Sequence, residues 1–376
     1  MSEVQGYCDP RFESVKEQLA QNLDTEDEAG VSYAVSYQGE MVVDLWGGTA
    51  DSAGRLWEEN TIVNLYSTTK TMCALIMHML SDRGEVDFSQ SVRHYWPEFA
   101  QNGKGNIPVS YLLCHAAGLA AIDEPIQTED LYDHEKIANL LAAQAPQWEP
   151  GSCSGYHALT QGYLIGEVVK RITGQTLGQF FKEQVADPVQ ADFHIGTPDS
   201  CFDRIADLIP FPPEQSPFAF EEGSIGMRTW TNPPLNVAAT RSAGWRRAEI
   251  PAANGHGNAR AVVRAQTALV NGGEAFGVRL LSEEAALRPL EKQIDSVDLC
   301  LGVQMPYGLG YGLPSELLPV SPDARSVFWG GYGGSSIVLN YERRLVLCYG
   351  MNKMTPLPLG DPRGMSLHRR VWEATQ

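Results

Sequence analysis

Apolar positions recur at helical spacing over residues 12–22, then alternate in the manner of a hairpin over residues 31–37 and 41–46, with Gln38-Gly39-Glu40 between the two runs. That change of period, from 3.6 to 2, predicts an amphipathic helix followed by a β-hairpin, which Gly47 and Gly48 end. Polar residues over 51–60 predict a loop. Ile62-Val63-Asn64-Leu65 then leads into a polar turn, Tyr66-Ser67-Thr68-Thr69-Lys70-Thr71, that opens into the apolar run 72–80. This reads as a helix closed by Asp82-Arg83-Gly84.

The middle of the chain patterns as helices separated by proline-marked loops: residues 111–115 closing at Gly118, 133–144, and 159–173 closing at Gly174. It shows no sheet pattern. Residues 210–254 hold Phe211-Pro212-Pro213, Pro217-Phe218-Ala219-Phe220, Trp230, Pro233-Pro234 and Trp245, more aromatic and proline residues than a plain connector needs. Two readings fit: a segment that overhangs a pocket, or a surface loop packed on its own aromatics. Regular pattern resumes at Asn258, an N-cap for a helix over 259–270 that Gly272-Gly273 terminates. Strand patterns follow at 326–329, 335–339 and 344–349, with a turn at 340–343, and a last helix is predicted over 365–374.

Strands at both ends with helices between predict an α/β (α+β) fold: one antiparallel sheet built from the two chain ends, flanked by helices, with a mainly helical region inserted. The expected division places residues 1–80 and 255–376 in the α/β region and residues 81–254 in the helical region with pocket-covering loops. No internal repeat or low-complexity tract interrupts it.

Charge narrows the partners. With 46 acidic against 28 basic residues and a net charge of -18, the surface should repel phosphate backbones and anionic membranes. Nucleic acid is therefore not an expected partner. The first residues carry no apolar signal core, and the longest apolar run is broken by His78, so neither a signal peptide nor a membrane span is expected. Seven cysteines are scattered singly, with no Cys-x-x-Cys pair, and an odd number cannot all be bridged. Reduced thiols in a cytoplasm are the expectation.

The candidate chemistry starts at Ser67. A serine at a helix start offers its own unpaired N–H, in a region of partial positive charge, to an oxyanion. Lys70 lies one turn along the same face. A buried lysine there is hard to charge, and a neutral amine can accept the serine proton. Taken alone, Ser67-Thr68-Thr69-Lys70 reads equally as an N-capped core helix.

Three elements in order carry a resemblance: Ser67-Thr68-Thr69-Lys70, Gly155-Tyr156-His157-Ala158 and Trp329-Gly330-Gly331-Tyr332. With them the chain resembles, nearly end to end, the serine β-lactamase and penicillin-binding superfamily, and most closely the family VIII bacterial carboxylesterases. Leu112-Leu113-Cys114-His115-Ala116-Ala117-Gly118-Leu119 and Gly257-Asn258-Ala259-Arg260 agree with it. There is no Gly-x-Ser-x-Gly, so the nucleophile elbow of α/β-hydrolases is excluded. The resemblance implies a single β-lactamase-like catalytic unit over 1–376. It implies Ser67 as acylated nucleophile, Lys70 as its base partner and Tyr156 as the phenol that shuttles a proton to the leaving group and back from water. It also implies an oxyanion hole made by the N–H groups of Ser67 and Tyr332. A lysine ammonium nearby should lower the Tyr156 pKa, and the two groups would share one proton.

Departures from the penicillin-recognising pattern set the substrate expectation. Ala158 stands where those enzymes place an asparagine amide, and Trp329 where they place a lysine. Losing both favours neutral, short- to medium-chain carboxylic esters over penicillins. Trp329, Gly330, Gly331 and His157 are the expected pocket residues, with the glycines admitting substrate close to the backbone. His157 has either a positioning or a spacer role, and His115 reads as a hydrogen-bonded residue at a helix end. No HExxH or comparable cluster is present, so neither metal nor cofactor is expected. The leading expectation is a serine carboxylesterase acting on a small-molecule ester. The alternatives are acyl transfer through the same acyl-enzyme, weak β-lactam or amide hydrolysis, and a non-catalytic binding protein; oligomeric state is left open.

Overall fold

The alternating segments at the two ends of the chain meet in one sheet. In the computed structural model, which describes residues 3–25, 27–215, 220–234, 236–357 and 360–376, Gly30–Tyr37 pairs with Glu40–Gly48 on one side and Leu345–Met351 on the other. Ser336–Asn340 and then Ser326–Gly330 extend it. Gln5–Cys8, a strand the pattern did not reveal, pairs with Glu40–Gly48 and completes six antiparallel strands.

Gly30–Tyr37 sits inside that sheet and is covered on both faces. Its small residues face one way: Ser32 Oγ accepts from Ala259 N at 3.1 Å, and Ser36 Oγ lies 2.7 Å from Thr267 Oγ1. They allow the helix Ala259–Val270 to lie close on the strand. Its larger residues alternate to the other face, where Tyr33 OH is 2.9 Å from His368 Nδ1 on the terminal helix Pro362–Ala374. Glu13–Asp24 packs beside that helix.

The predicted helix after Ser67 is a short 3₁₀ turn, Tyr66–Thr69, continued by the α-helix Lys70–Asp82. Every residue from Lys70 to Leu80 is buried. A helix apolar on all sides belongs in the core, and this one runs between the sheet-covering helix and the helices of the middle region.

In that region His134–Ala143 starts at Asp133, whose side chain accepts from Lys136 N at 3.0 Å, and Thr160–Thr173 ends at Gly174 with φ 73°. Two expectations change. The helix predicted over 111–115 is Val109–Leu113, and His115 leaves it with φ 60°. The middle region is also not free of strands, since Ile205–Ala206 runs parallel to Ile62–Asn64, which pairs antiparallel with His256–Gly257. Strands of two or three residues are too short to show a period. Pro217, Phe218 and Ala219 lie outside the described residues.

Candidate functional site

Ser67 sits in a turn that several hydroxyls tie down. Tyr66, just before it, is held at φ 44°, a conformation costly for a residue with a side chain. The carbonyl of Tyr66 accepts from Thr69 Oγ1 at 2.5 Å, and Thr69 Oγ1 itself accepts from Gly255 N at 2.9 Å. Ser335 Oγ donates to Leu65 O at 3.0 Å, which leaves it to accept from Thr68 Oγ1, also at 3.0 Å. The two threonines inside the Ser-x-x-Lys motif thus fix the turn to the 255 segment and to the glycine-rich strand end. Ser67 is second in the 3₁₀ turn, where an N–H has no carbonyl one turn back to bond.

The glycines at 330 and 331 differ in what they allow. A Cβ on Gly331 would lie 2.2 Å from Leu65 O and 2.3 Å from Ser335 Oγ, whereas one on Gly330 would meet only Ser335 O at 3.3 Å. Gly331 is needed for docking the strand end against the Ser67 turn, a constraint separate from the substrate approach expected of it.

Lys70 Nζ is buried with three oxygens around it: Ala158 O at 2.7 Å, Ala252 O at 2.9 Å and Ser67 Oγ at 3.1 Å. A neutral amine has two N–H bonds and one lone pair. Two carbonyls take the N–H bonds, so the lone pair is left for the serine hydroxyl. Burial favours that form, lowering the Lys70 pKa from 10.5 to about 7.

Tyr156 OH donates to Ser67 Oγ at 2.7 Å. The expected lowering of its pKa does not hold, because burial pushes the phenol up. Lys70 Nζ lies over the ring, 4.8 Å from its centroid, and its hydrogen bonds go to Ala158 O, Ala252 O and Ser67 Oγ. Tyr156 therefore rests as a proton donor, and the basic capacity of the trio resides on Lys70.

Two apolar compartments open at Ser67. One, of about 580 Å³, is lined by Leu131, Ala158, Leu159, Pro233, Pro234 and Trp245 among others. The second, of about 530 Å³, is lined by Tyr156, Leu301, Met305, Tyr307, Trp329, Gly330 and Gly331 among others. Ser67, Trp230 and Tyr332 belong to both. Trp230 and Trp245 come from the aromatic stretch, so part of it does wall the cavity. Trp245 is anchored by its indole N–H, which donates to Asn64 Oδ1 at 2.8 Å.

His157 is placed differently from expectation. It is fully buried and lines neither compartment. Its Nδ1 lies 2.6 Å from Gly155 O and must donate there, which leaves Nε2 to accept from Leu119 N at 3.1 Å. Burial lowers its pKa to about 3, keeping it neutral. His115 Nδ1 accepts from His157 N at 3.1 Å, and its ring stacks on Trp329 at 5.6 Å and 16°. Both histidines support the walls.

Sequence reasoning missed Leu131, Leu159 and Asp298. Asp298 carried one signal, as an acid inside the apolar run Val297-Asp298-Leu299-Cys300-Leu301. Among the described residues no cluster of three or more His, Cys, Asp or Glu side chains is arranged to hold a metal ion, and no helix is long and apolar enough to cross a membrane.

Known proteins share this arrangement of chain. The esterase/beta-lactamase LipL of Mycobacterium tuberculosis is 36% identical over 96% of this chain and 86% of its own. The crystal structure of a family VIII carboxylesterase superposes with a TM-score of 0.93 at 37% identity, covering 99% of this chain and 100% of that one. A penicillin-binding protein homolog from Caulobacter crescentus matches with the same TM-score and coverage at 34% identity. The beta-lactamase family model matches residues 15–369, and the chain belongs to that family.

Proposed function

We propose that the protein is a serine carboxylesterase that hydrolyses neutral esters through an acyl-Ser67 intermediate. One observation carries this reading: a serine oxygen within hydrogen-bonding distance of both a buried amine and a buried phenol, at the junction of two apolar compartments. The esterase and carboxylesterase relatives support it.

In acylation, neutral Lys70 takes the Ser67 proton as Oγ attacks the ester carbonyl. The N–H groups of Ser67 and Tyr332 hold the oxyanion. The alcohol leaves with the phenolic proton of Tyr156, and the site is left with an ammonium and a phenolate whose charges offset each other. In deacylation the phenolate takes a proton from water, hydroxide attacks the acyl-enzyme, and the ammonium returns its proton to Ser67. Atoms and charge balance over the cycle.

The leaving oxygen must reach Tyr156. The alcohol therefore occupies the Tyr156, Trp329 and Tyr307 compartment, and the acyl group occupies the Leu131, Leu159 and Trp245 compartment. Ala158 then stands on the acyl side and Trp329 on the alcohol side, each where a polar group is missing. The whole chain acts as one catalytic unit, with residues 1–80 and 255–376 carrying the sheet and residues 81–254 supplying Tyr156 and much of the acyl wall. Seven free thiols, five of them buried, favour a cytoplasmic location.

Intact mass after fluorophosphonate treatment, for wild type and Ser67→Ala, tests the reading beside p-nitrophenyl ester hydrolysis. One adduct and turnover that both vanish in the variant are expected. An unlabelled wild type, or turnover retained in Ser67→Ala, overturns the mechanism.

A further inference from the structure

Asp298 is fully buried, and among the described residues every partner of its side chain is a donor. Its Oδ1 accepts from Tyr156 N at 2.9 Å, Cys300 N at 2.9 Å and Leu301 N at 3.0 Å, while Oδ2 accepts from Tyr307 OH at 3.1 Å. A carboxylate is the side chain that can accept this many bonds at once. Three of the four residues it holds, Tyr156, Leu301 and Tyr307, line the alcohol-side compartment, and Tyr156 also carries the phenol on Ser67.

The surrounding backbone reinforces the clamp. Leu299 N donates to Ser154 O at 3.0 Å, and Ser154 N donates to Ser296 Oγ at 2.9 Å. The loop is closed by Asp298 N to Val303 O at 2.9 Å and Gly302 N to Asp298 O at 2.8 Å. Residues 296–303 and 154–156 thus form one braced unit, although nearly a hundred and fifty positions separate them.

We infer that Asp298 is a positioning residue for ester hydrolysis: it fixes the Tyr156 phenol on Ser67 and, through Leu301 and Tyr307, sets the wall against which the alcohol group packs. This rests on the acyl-Ser67 reading. Burying a carboxylate is unfavourable unless its bonds are made. Here they are made to residues of the site.

The groups facing the Tyr156 phenol from the elements packed around it are Lys70, His115, Asp298, Cys300 and Tyr307. Burial holds His115 neutral and pushes the Cys300 and Tyr307 acids up, so Asp298 supplies the negative charge that opposes a phenolate. Asp298→Asn removes that charge while keeping an oxygen to accept the three N–H bonds.

The test compares Asp298→Ala and Asp298→Asn, each alone and combined with Tyr156→Phe, using p-nitrophenyl and aliphatic esters of one acid, with fluorophosphonate labelling and melting temperature as controls. Asp298→Ala should lose about 10²-fold in kcat, the scale of a misplaced catalytic group, with KM for the acyl series nearly unchanged and the ranking of alcohols altered. Asp298→Asn should recover most of that loss and return the ranking of alcohols towards that of wild type. In the Tyr156→Phe background, Asp298→Ala should add little, because the two act as one unit.

Equal losses from Asp298→Ala with and without the Tyr156 hydroxyl would overturn the positioning role. So would an Asn variant as impaired as the Ala variant. Failure of wild type to label at Ser67 would instead overturn the reading beneath it. If Asp298→Ala does not fold, Asp298→Asn alone and combined with Tyr156→Phe decides: a kcat loss that disappears without the Tyr156 hydroxyl supports the role, and an equal loss in both backgrounds overturns it.

Discussion

Lys70 offers a test whose size follows from the structure. Its complete burial lowers the pKa from 10.5 to about 7, which at about 1.4 kcal/mol per tenfold change corresponds to a penalty on the charged form on the order of 5 kcal/mol. If the neutral amine is the base, kcat/KM follows the neutral fraction of the free enzyme. That fraction is about one half at pH 7, about one tenth at pH 6 and about one hundredth at pH 5. Initial rates on a p-nitrophenyl ester from pH 5 to 9.5, corrected for uncatalysed hydrolysis, should therefore rise about tenfold from pH 5 to 6, about fivefold from pH 6 to 7, and level off above 8. A lysine left at 10.5 would give a rise that continues through pH 9. That outcome would refute the assignment of the base.

The same group predicts how stability depends on pH. Its folded pKa lies below its unfolded value, so between about 7 and 10.5 the unfolded chain holds a proton that the folded chain does not. Stability then increases with pH across that window, because the unfolded state is the one that must lose the proton. Lys70→Met lacks the effect. Its melting temperature relative to wild type should fall steadily from pH 7 to pH 10, offset throughout by the Ala158 and Ala252 carbonyls that lose their donor.

Gly331→Ala should lower both melting temperature and turnover, and Gly330→Ala should do so much less, because only the first Cβ collides with Leu65 O and Ser335 Oγ; equal effects would contradict the docking role. Leu159→Trp should cut kcat/KM for longer acyl chains about tenfold or more relative to acetate, without changing the order of preference among alcohols; a changed alcohol order would reverse the assignment of the two compartments. A competing short-chain alcohol should enter the Trp329 compartment and divert part of the acyl-enzyme to a new ester, read by product partition at constant p-nitrophenol release. Nitrocefin should turn over more slowly than p-nitrophenyl esters, and a higher kcat/KM on nitrocefin would overturn the ester reading.

What could be read in the sequence was local, or periodic over a long enough stretch. Ser67 and Lys70 are one helical turn apart, so their meeting is a property of the helix itself, and Lys70 does place Nζ on Ser67 Oγ. The terminal sheet was legible because residues 31–37 alternate over a whole strand and residues 345–349 form a short apolar run bounded by a turn. Tyr156 could be placed on Ser67 only through motif order, since no local rule joins positions 89 apart. Its protonation was misjudged for a related reason. Lysine proximity can be guessed from a motif, whereas complete burial, which dominates here, is set by residues from many segments. His157 was misplaced because a residue next to Tyr156 in sequence points away from the cavity it lines.

The compartments show why the substrate reading depends on the assembled fold. Their walls are drawn from segments near residues 66, 130, 158, 230, 245, 253, 305 and 330, and none of the described residues lining either one has a charged side chain. On a chain of net charge -18, a cavity without a cation gives an anionic substrate no partner to offset its desolvation. Lys70 is the basic group nearest the cavity, and its N–H bonds are committed to Ala158 O and Ala252 O. A neutral ester loses little on entering such a cavity and gains apolar contact on both sides of the scissile bond. Charge develops only at the reacting oxygens, beside the Ser67 N–H, Lys70 and Tyr156, where the site can answer it.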